Sequence, residues 1–216
     1  MPELLIRPYL PADRNALFRI AGDTGFFGEP IEAIIEDRTI FLDAFYAYYT
    51  DLEPDHAWVA CADGEVVGFL VGCVDTQGQP RRWLHSILPG LLSKLLRGRY
   101  RLGRLTFGYI FGSLENKLFS GALRTNLNSF PAHLHINLDA AWRRHGLGGR
   151  LMEAYLRQLR SLGVRGVHLH TTSLNETACR MYEKIGFRLE DARSDRFWTR
   201  RFKRPVDSRC YGLTLI

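Results

Sequence analysis

The stretch from 132 to 186 changes its hydrophobic period three times, and this constrains the chain more than any other feature. HLHINLD (133–139) alternates, with Leu134, Ile136 and Leu138 on one side and His133, His135, Asn137 and Asp139 on the other, the period of a strand with one buried face. RRHGLGGRL (143–151) follows, and from there Leu147, Leu151, Tyr155 and Leu159 recur every fourth residue until Gly163, which marks a helix and its stop. VHLHTT (167–172) is strand-like again. NETACRMYEKIG (175–186) then turns Ala178, Met181, Tyr182 and Ile185 to one helix face and ends on Gly186. Strand, helix, strand, helix with short links predicts a parallel pair of strands inside a mixed sheet.

The rest supplies further strands and helices. ELLIRPY (3–9) reads as a strand and PADRNALFRIAG (11–22) as a helix opened by Pro and Asp, whose missing N–H and negative charge suit a helix start. PIEAIIEDRTIFLDAFYAYY (30–49) carries a second helical pattern. HAWVACADGEVVGFLVGCVD (56–75) predicts two strands joined at Asp63-Gly64. Leu84, Ile87, Leu88, Leu91, Leu92, Leu95 and Leu96 draw one apolar helix stripe, with Pro89-Gly90 as its weak point, and Gly98, Gly103, Gly108 and Gly112 punctuate the stretch after it. FRLED and SRCYGLTLI close the chain as two strands. At 216 residues and 46% hydrophobic, the expectation is a single α/β (α+β) domain over 1–216, with a basic helical insertion at about 76–130 before the fourth strand.

Charge is concentrated in that insertion. Residues 76–114 contain no Asp or Glu but hold Arg81, Arg82, Lys94, Arg97, Arg99, Arg101 and Arg104, and they account for the net charge of +6. An apolar stripe packed on the sheet with its arginines in water is the plain reading; an acidic substrate or an anionic membrane surface are the sharper ones. Nucleic acid is not expected, because no other binding signature accompanies the charge. Cys61, Cys73, Cys179 and Cys210 form no CxxC pair, which argues against a disulfide framework and fits the cytoplasm. No basic start with a long apolar run opens the sequence, and no apolar run reaches the length of a membrane span.

A strand ending at Asp139, a loop with Gly146, Gly148 and Gly149, and a helix starting within it outline an anion site, since the first helical turn carries unpaired N–H groups and the positive dipole end. Neither GK[ST] nor GxGxxG is present. Arg143-x-x-Gly146-x-Gly148, followed after a helix and a strand by Asn175-x-x-Ala178-x-x-x-Tyr182-x-x-x-Gly186-Phe187, resembles the GNAT superfamily of acetyl-CoA-dependent N-acetyltransferases. IRPYLPAD is similar to that family's opening, and PAHLHIN and the layout resemble bacterial relatives of the acetyltransferase-like domain attached to O-GlcNAc hydrolases.

The resemblance implies a mainly antiparallel sheet with one parallel pair and helices on both faces. It implies an acetyl-CoA site in which the amides of Arg143, Arg144, His145, Gly146, Leu147, Gly148, Gly149 and Arg150 hold the pyrophosphate. The backbone of Leu138, Asp139 and Ala140 would pair with the pantetheine arm, Asn175 would touch the cofactor, and Tyr182 would lie near its sulfur as general acid. For the base, His133 and His135 share the strand face opposite the leucines, and their placement looks like the paired histidines of arylalkylamine N-acetyltransferases, one residue closer to the loop arginine. Asp139 is the alternative base. His168 and His170 repeat the HxH pattern, but without a carboxylate partner they read as polar residues on a sheet face, so no metal is expected. The implied partner is an amine-bearing substrate, small molecule or protein. A CoA-binding module without turnover, recruiting a partner or membrane through the basic insertion, is the other reading.

Overall fold

A computed structural model describes residues 2–216. In chain order the elements are β1 (Leu4–Pro8), α1 (Arg14–Thr24), α2 (Arg38–Phe41), α3 (Ala47–Leu52), β2 (Ala57–Ala62), β3 (Glu65–Cys73), α4 (Gln79–Ser86), α5 (Leu88–Leu96) and α6 (Arg104–Phe119). After these come β4 (Ala132–Leu138), α7 (Leu147–Ser161), β5 (Gly166–Thr172), α8 (Glu176–Ile185), β6 (Arg188–Ser194), α9 (Arg196–Phe202) and β7 (Asp207–Thr214). The seven strands form one sheet in the order β1-β2-β3-β4-β5-β7-β6, antiparallel throughout except for β4 and β5. The expected mixed sheet with one parallel pair is therefore present, and the helical insertion precedes the fourth strand.

Two cores sandwich the sheet. Leu134 and Leu169 meet Leu147, Leu151, Tyr155 and Leu159 of α7 and Tyr182 of α8 on one face. On the other, Phe69 and Val71 meet Leu17 and Ile20 of α1 and an aromatic run, Tyr46, Tyr48 and Tyr49. Tyr155 lies over Gly72, where a Cβ would collide with its ring, and donates its hydroxyl to the His133 carbonyl at 3.1 Å. The Asp63-Gly64 turn has both residues at positive φ, 47° and 86°, as a tight two-residue hairpin turn requires.

Three expectations need correction. The pattern at 30–49 is not one helix: after a single turn at Ile31–Ala33 the helix restarts at Arg38 and passes through a wider turn at Leu42–Tyr46. Asp37 causes the restart by accepting the Thr39 N–H at 2.9 Å, while Glu36 turns away to cap α6. Second, the stripe over 84–96 is split at Ile87 and does not lie on the sheet. Ile87 is buried and Leu91 packs beside it, but Leu84, Leu92, Leu95 and Leu96 stay exposed. Third, the glycine-punctuated segment contains the sixteen-residue α6, with Gly108 and Gly112 inside it. Gly112 is where the Phe197 ring of α9 presses on the helix, in space a Cβ would fill.

Candidate active site

β4 and β5 are each seven residues long but pair only at Ala132–Val167 and His133–His168. Beyond that point each stays bonded to its other neighbour, β4 to β3 as far as Leu138 and β5 to β7 as far as Thr172. The strands diverge, and the β4 edge facing β5 is left without a backbone partner from Leu134 onward. Unpaired strand groups seek an extended chain of amides.

The wedge opens toward the loop between β4 and α7. Asp139 is held by Arg19 of α1 at 3.0 and 3.2 Å, so its carboxylate is already paired. Ala140–Trp142 form one tight turn; Arg144 (φ 65°) and Gly146 (φ 78°) adopt left-handed backbone, and α7 starts at Leu147. The Arg150 N–H bonds the Gly146 carbonyl at 3.1 Å, while those of Gly146, Leu147, Gly148 and Gly149 have no acceptor among the described residues. A Cβ at Gly146 or Gly149 would project into open space, whereas one at Gly148 would press on Met181 Sδ at 3.1 Å. Two of the glycines thus keep the loop face bare, and the third seats α7 against α8. Bare amides at a helix start suit a pyrophosphate, so the residues present fit coenzyme A.

The arginines of the loop are unequal. Arg143 turns inward, donating Nε to the Leu138 carbonyl at 3.3 Å and Nη2 to the Gly28 carbonyl at 2.8 Å, and so ties the turn after α1 to the loop. His145 Nδ1 lies 2.9 Å from the Arg143 carbonyl, and Arg150 donates to the Leu4 carbonyl at 3.0 Å. Arg144 is exposed, and no partner holds its side chain among the described residues.

The two candidate histidines are separated by their surroundings. His133 is buried, with Tyr49 Oη 2.8 Å from Nε2 and Thr76 Oγ1 2.7 Å from Nδ1. Gln79 donates to the Tyr49 hydroxyl at 3.2 Å; with that hydroxyl donating on to His133 Nε2, the ring proton would sit on Nδ1 and face Thr76. Burial, reinforced by the neighbouring imidazoles, holds its pKa well below the usual value. His135 keeps both ring nitrogens free of protein partners among the described residues, with the Phe45 ring 4.6 Å away. Burial and the imidazoles of His170 and His168 push its pKa down to about 3. The ring sequence continues from His133 to His168 at 5.7 Å and on to the exposed His170 at 5.4 Å.

In the core on the α7 face of the sheet, Tyr182 is buried beside Phe187 and Tyr211, and burial raises its phenol pKa well above the usual value. Its hydroxyl has no protein hydrogen-bond partner among the described residues, nor has the Asn175 side chain at the start of α8. Thr172 Oγ1, where β5 ends, is buried without a partner. Sequence reading did not find Tyr49, Thr76 and Gln79 around His133, the Arg19–Asp139 pair or the Arg143–Gly28 tie. The crowded aromatics of FYAYY are the one local signal that could have pointed to Tyr49.

Residues 101–187 match the profile of the Acetyltransferase (GNAT) family. Over 56 residues, 26% of this chain, the sequence is 43% identical to the mycothiol acetyltransferase of Nocardiopsis dassonvillei, and the match spans 17% of that protein's length. The crystal structure of SsHAT superposes over the whole of both chains with a TM-score of 0.77 and 29% identity. YncA of Salmonella typhimurium, solved with acetyl-CoA, shares the fold at a TM-score of 0.58 and 14% identity, covering 99% of this chain and 94% of its own. The bare loop amides lie inside the matched stretch, so over residues 101–187 the chain is similar to the acetyltransferases of the GNAT family, on a fold it shares with solved acetyltransferases.

Proposed function

We propose that the chain, acting as one unit, transfers acetyl from acetyl-CoA to an amine by direct attack. The observation that carries this reading is the wedge between β4 and β5, which ends at a row of acceptor-free amides where a helix begins. Acetyl-CoA would supply an activated thioester carbonyl. The N–H groups of Gly146 to Gly149 hold the pyrophosphate, and the open edge of β4 binds the amides of the arm. Thr172 Oγ1 and the Asn175 side chain, both near the end of β5, are without hydrogen-bond partners among the described residues and would be available to the cofactor.

His135 is the base. At neutral pH its imidazole is uncharged and its lone pair is free, whereas His133 has both nitrogens occupied and serves to position it. An attacking amine becomes strongly acidic as its C–N bond forms, so a weak base suffices to take the proton. Desolvation in the cleft also favours the uncharged amine before attack. Tyr182 stays protonated because burial raises its pKa, and it offers its hydrogen to the departing thiolate, whose own proton affinity desolvation raises in the same direction. The acceptor is an amine, free or on a protein; the paired imidazoles, the aromatics around them and the insertion line its approach.

The test is calorimetry with coenzyme A, followed by thiol release from acetyl-CoA with a panel of amines. Micromolar coenzyme A binding and amine-stimulated thiol release are expected. Absence of coenzyme A binding would overturn the reading, and tight binding with no turnover on any amine would leave the chain a binding module.

A further inference from the structure

The insertion presents an apolar face that nothing among the described residues covers. In α6, Phe107, Ile110, Phe111, Leu114 and Leu118 recur at spacings of three and four, and all are between 47% and 71% exposed. They lie on one side of the helix. The opposite side is the docked one: Thr106 binds Glu36, Tyr109 stacks edge-on against Phe197 at 5.9 Å, Gly112 takes the Phe197 ring, and Asn116 donates to Asp195 at 3.0 Å. The same division runs through α5, where Leu91 packs inward while Leu92, Leu95 and Leu96 face out. Soluble proteins seldom leave large apolar side chains exposed along a whole helix unless something binds there.

The charge around this face says what kind of partner that is. Arg97, Arg99, Arg101 and Arg104 link the two helices, all exposed, and their guanidinium groups pair with no carboxylate among the described residues. Lys117 adds a further exposed cation in the last turn of α6. No acidic residue occurs from 76 to 114, and Glu115, the first one after it, is paired with Arg200. An outward apolar stripe bordered by arginines without salt-bridge partners complements an anionic lipid surface, with apolar side chains among the acyl chains and guanidinium groups among the phosphates. A second copy of this chain would bring the same cations to the contact with no carboxylate from this segment to answer them. No described helix is long and apolar enough to cross a membrane, so the mode is attachment to one leaflet.

We propose that α5, α6 and the arginine link between them dock the protein on an anionic membrane surface. The test is flotation of the full chain with phosphatidylcholine vesicles, with and without about a quarter phosphatidylglycerol, at low and high salt. Binding to the anionic vesicles alone is expected, weakened by salt. Arg97→Gln, Arg99→Gln, Arg101→Gln and Arg104→Gln together should weaken it by roughly six-hundredfold, at roughly fivefold per cation near the surface. Phe111→Ser with Leu114→Ser should abolish it while coenzyme A binding is unchanged; should that pair misfold by circular dichroism, the arginine set decides. No binding to anionic vesicles, equal binding to neutral ones, or indifference to the arginine set would overturn the proposal. So would a stable dimer in sedimentation that the Phe111/Leu114 pair dissolves, since the face would then belong to a second copy. None of these outcomes depends on acetyl transfer.

Discussion

Tyr49 Oη sits 2.8 Å from His133 Nε2, and Thr76 closes the other side of the ring, so the first histidine of HLHIN is a fixed part of the cleft wall. His135, two residues on, is the one left with free nitrogens. His135→Gln should therefore lower kcat by about 10²- to 10⁴-fold, the usual contribution of a positioned base. His133→Gln should act mainly on stability, costing about 1–3 kcal/mol through the unsatisfied Tyr49 and Thr76 hydroxyls. Steady-state rates and urea unfolding of both variants separate the roles; equal loss of kcat with equal stability would contradict them.

Tyr182→Phe removes a hydroxyl that bonds to no other protein group among the described residues. Stability should change by no more than about 0.5 kcal/mol, coenzyme A affinity should hold, and kcat should fall by about 10²-fold. Calorimetry beside a thiol-release assay reads all three. A fall in coenzyme A affinity with kcat intact would move Tyr182 from acid to binding residue.

Gly146 and Gly149 both face open space but differ in backbone. Gly146 is left-handed, so Gly146→Ala should destabilise the fold by about 1–2 kcal/mol. Gly149 is helical, and Gly149→Ala should stabilise the fold by up to about 1 kcal/mol on helix propensity. Yet the added methyl stands where the pyrophosphate must approach, and coenzyme A affinity should drop about tenfold. Thermal unfolding and calorimetry are expected to move in opposite directions for this one substitution.

His133, His135 and His168 have depressed proton affinity in the fold, with burial the largest cause at each. Unfolded, each titrates near ~6.5. Their contribution to stability is present above that pH and is lost as pH falls, through about 3 for His135. The urea midpoint should begin to decline just below about pH 6.5, before the carboxylates titrate. A flat midpoint from about pH 7 to 5 would argue against a neutral histidine cluster.

Glu36 anchors the start of α6. Desolvation opposes its ionisation, but hydrogen bonds from the Thr106 hydroxyl and N–H and from the Leu105 N–H prevail and hold its pKa down to about 2, against an ordinary 4.5. A lowered carboxylate stabilises above its unfolded value and ceases to do so as pH drops toward the folded one. Amide exchange in 104–119, taken relative to the intrinsic rate at each pH, should rise between pH 4.5 and about 2 in the wild type. In Glu36→Gln it should already be raised at neutral pH.

The stretch from β4 to α8 was legible because each element there is amphipathic with one period, and glycine marks each helix end. The loop glycines and Tyr182 stood out for the same reason. The insertion was harder to read: α6 is apolar on two faces, one docked and one bare, so no single stripe emerges, and its internal glycines read as breaks. α9 is short and dense in arginine. The partners of His133 come from 49, 76 and 79, distant in sequence, and no local pattern announces contacts of that kind. The break in the second helix depended on Glu36 and Asp37 serving different helix starts, a choice only the assembled fold makes.

The two-residue contact between β4 and β5 is fixed from outside, by β3 along one strand and β7 along the other. The cleft is therefore as rigid as the sheet itself, and a visitor finds its slot cut to shape before arrival. Entry should be fast and nearly free of ordering entropy in the strands, and any slow step must come from elements that sit across the mouth.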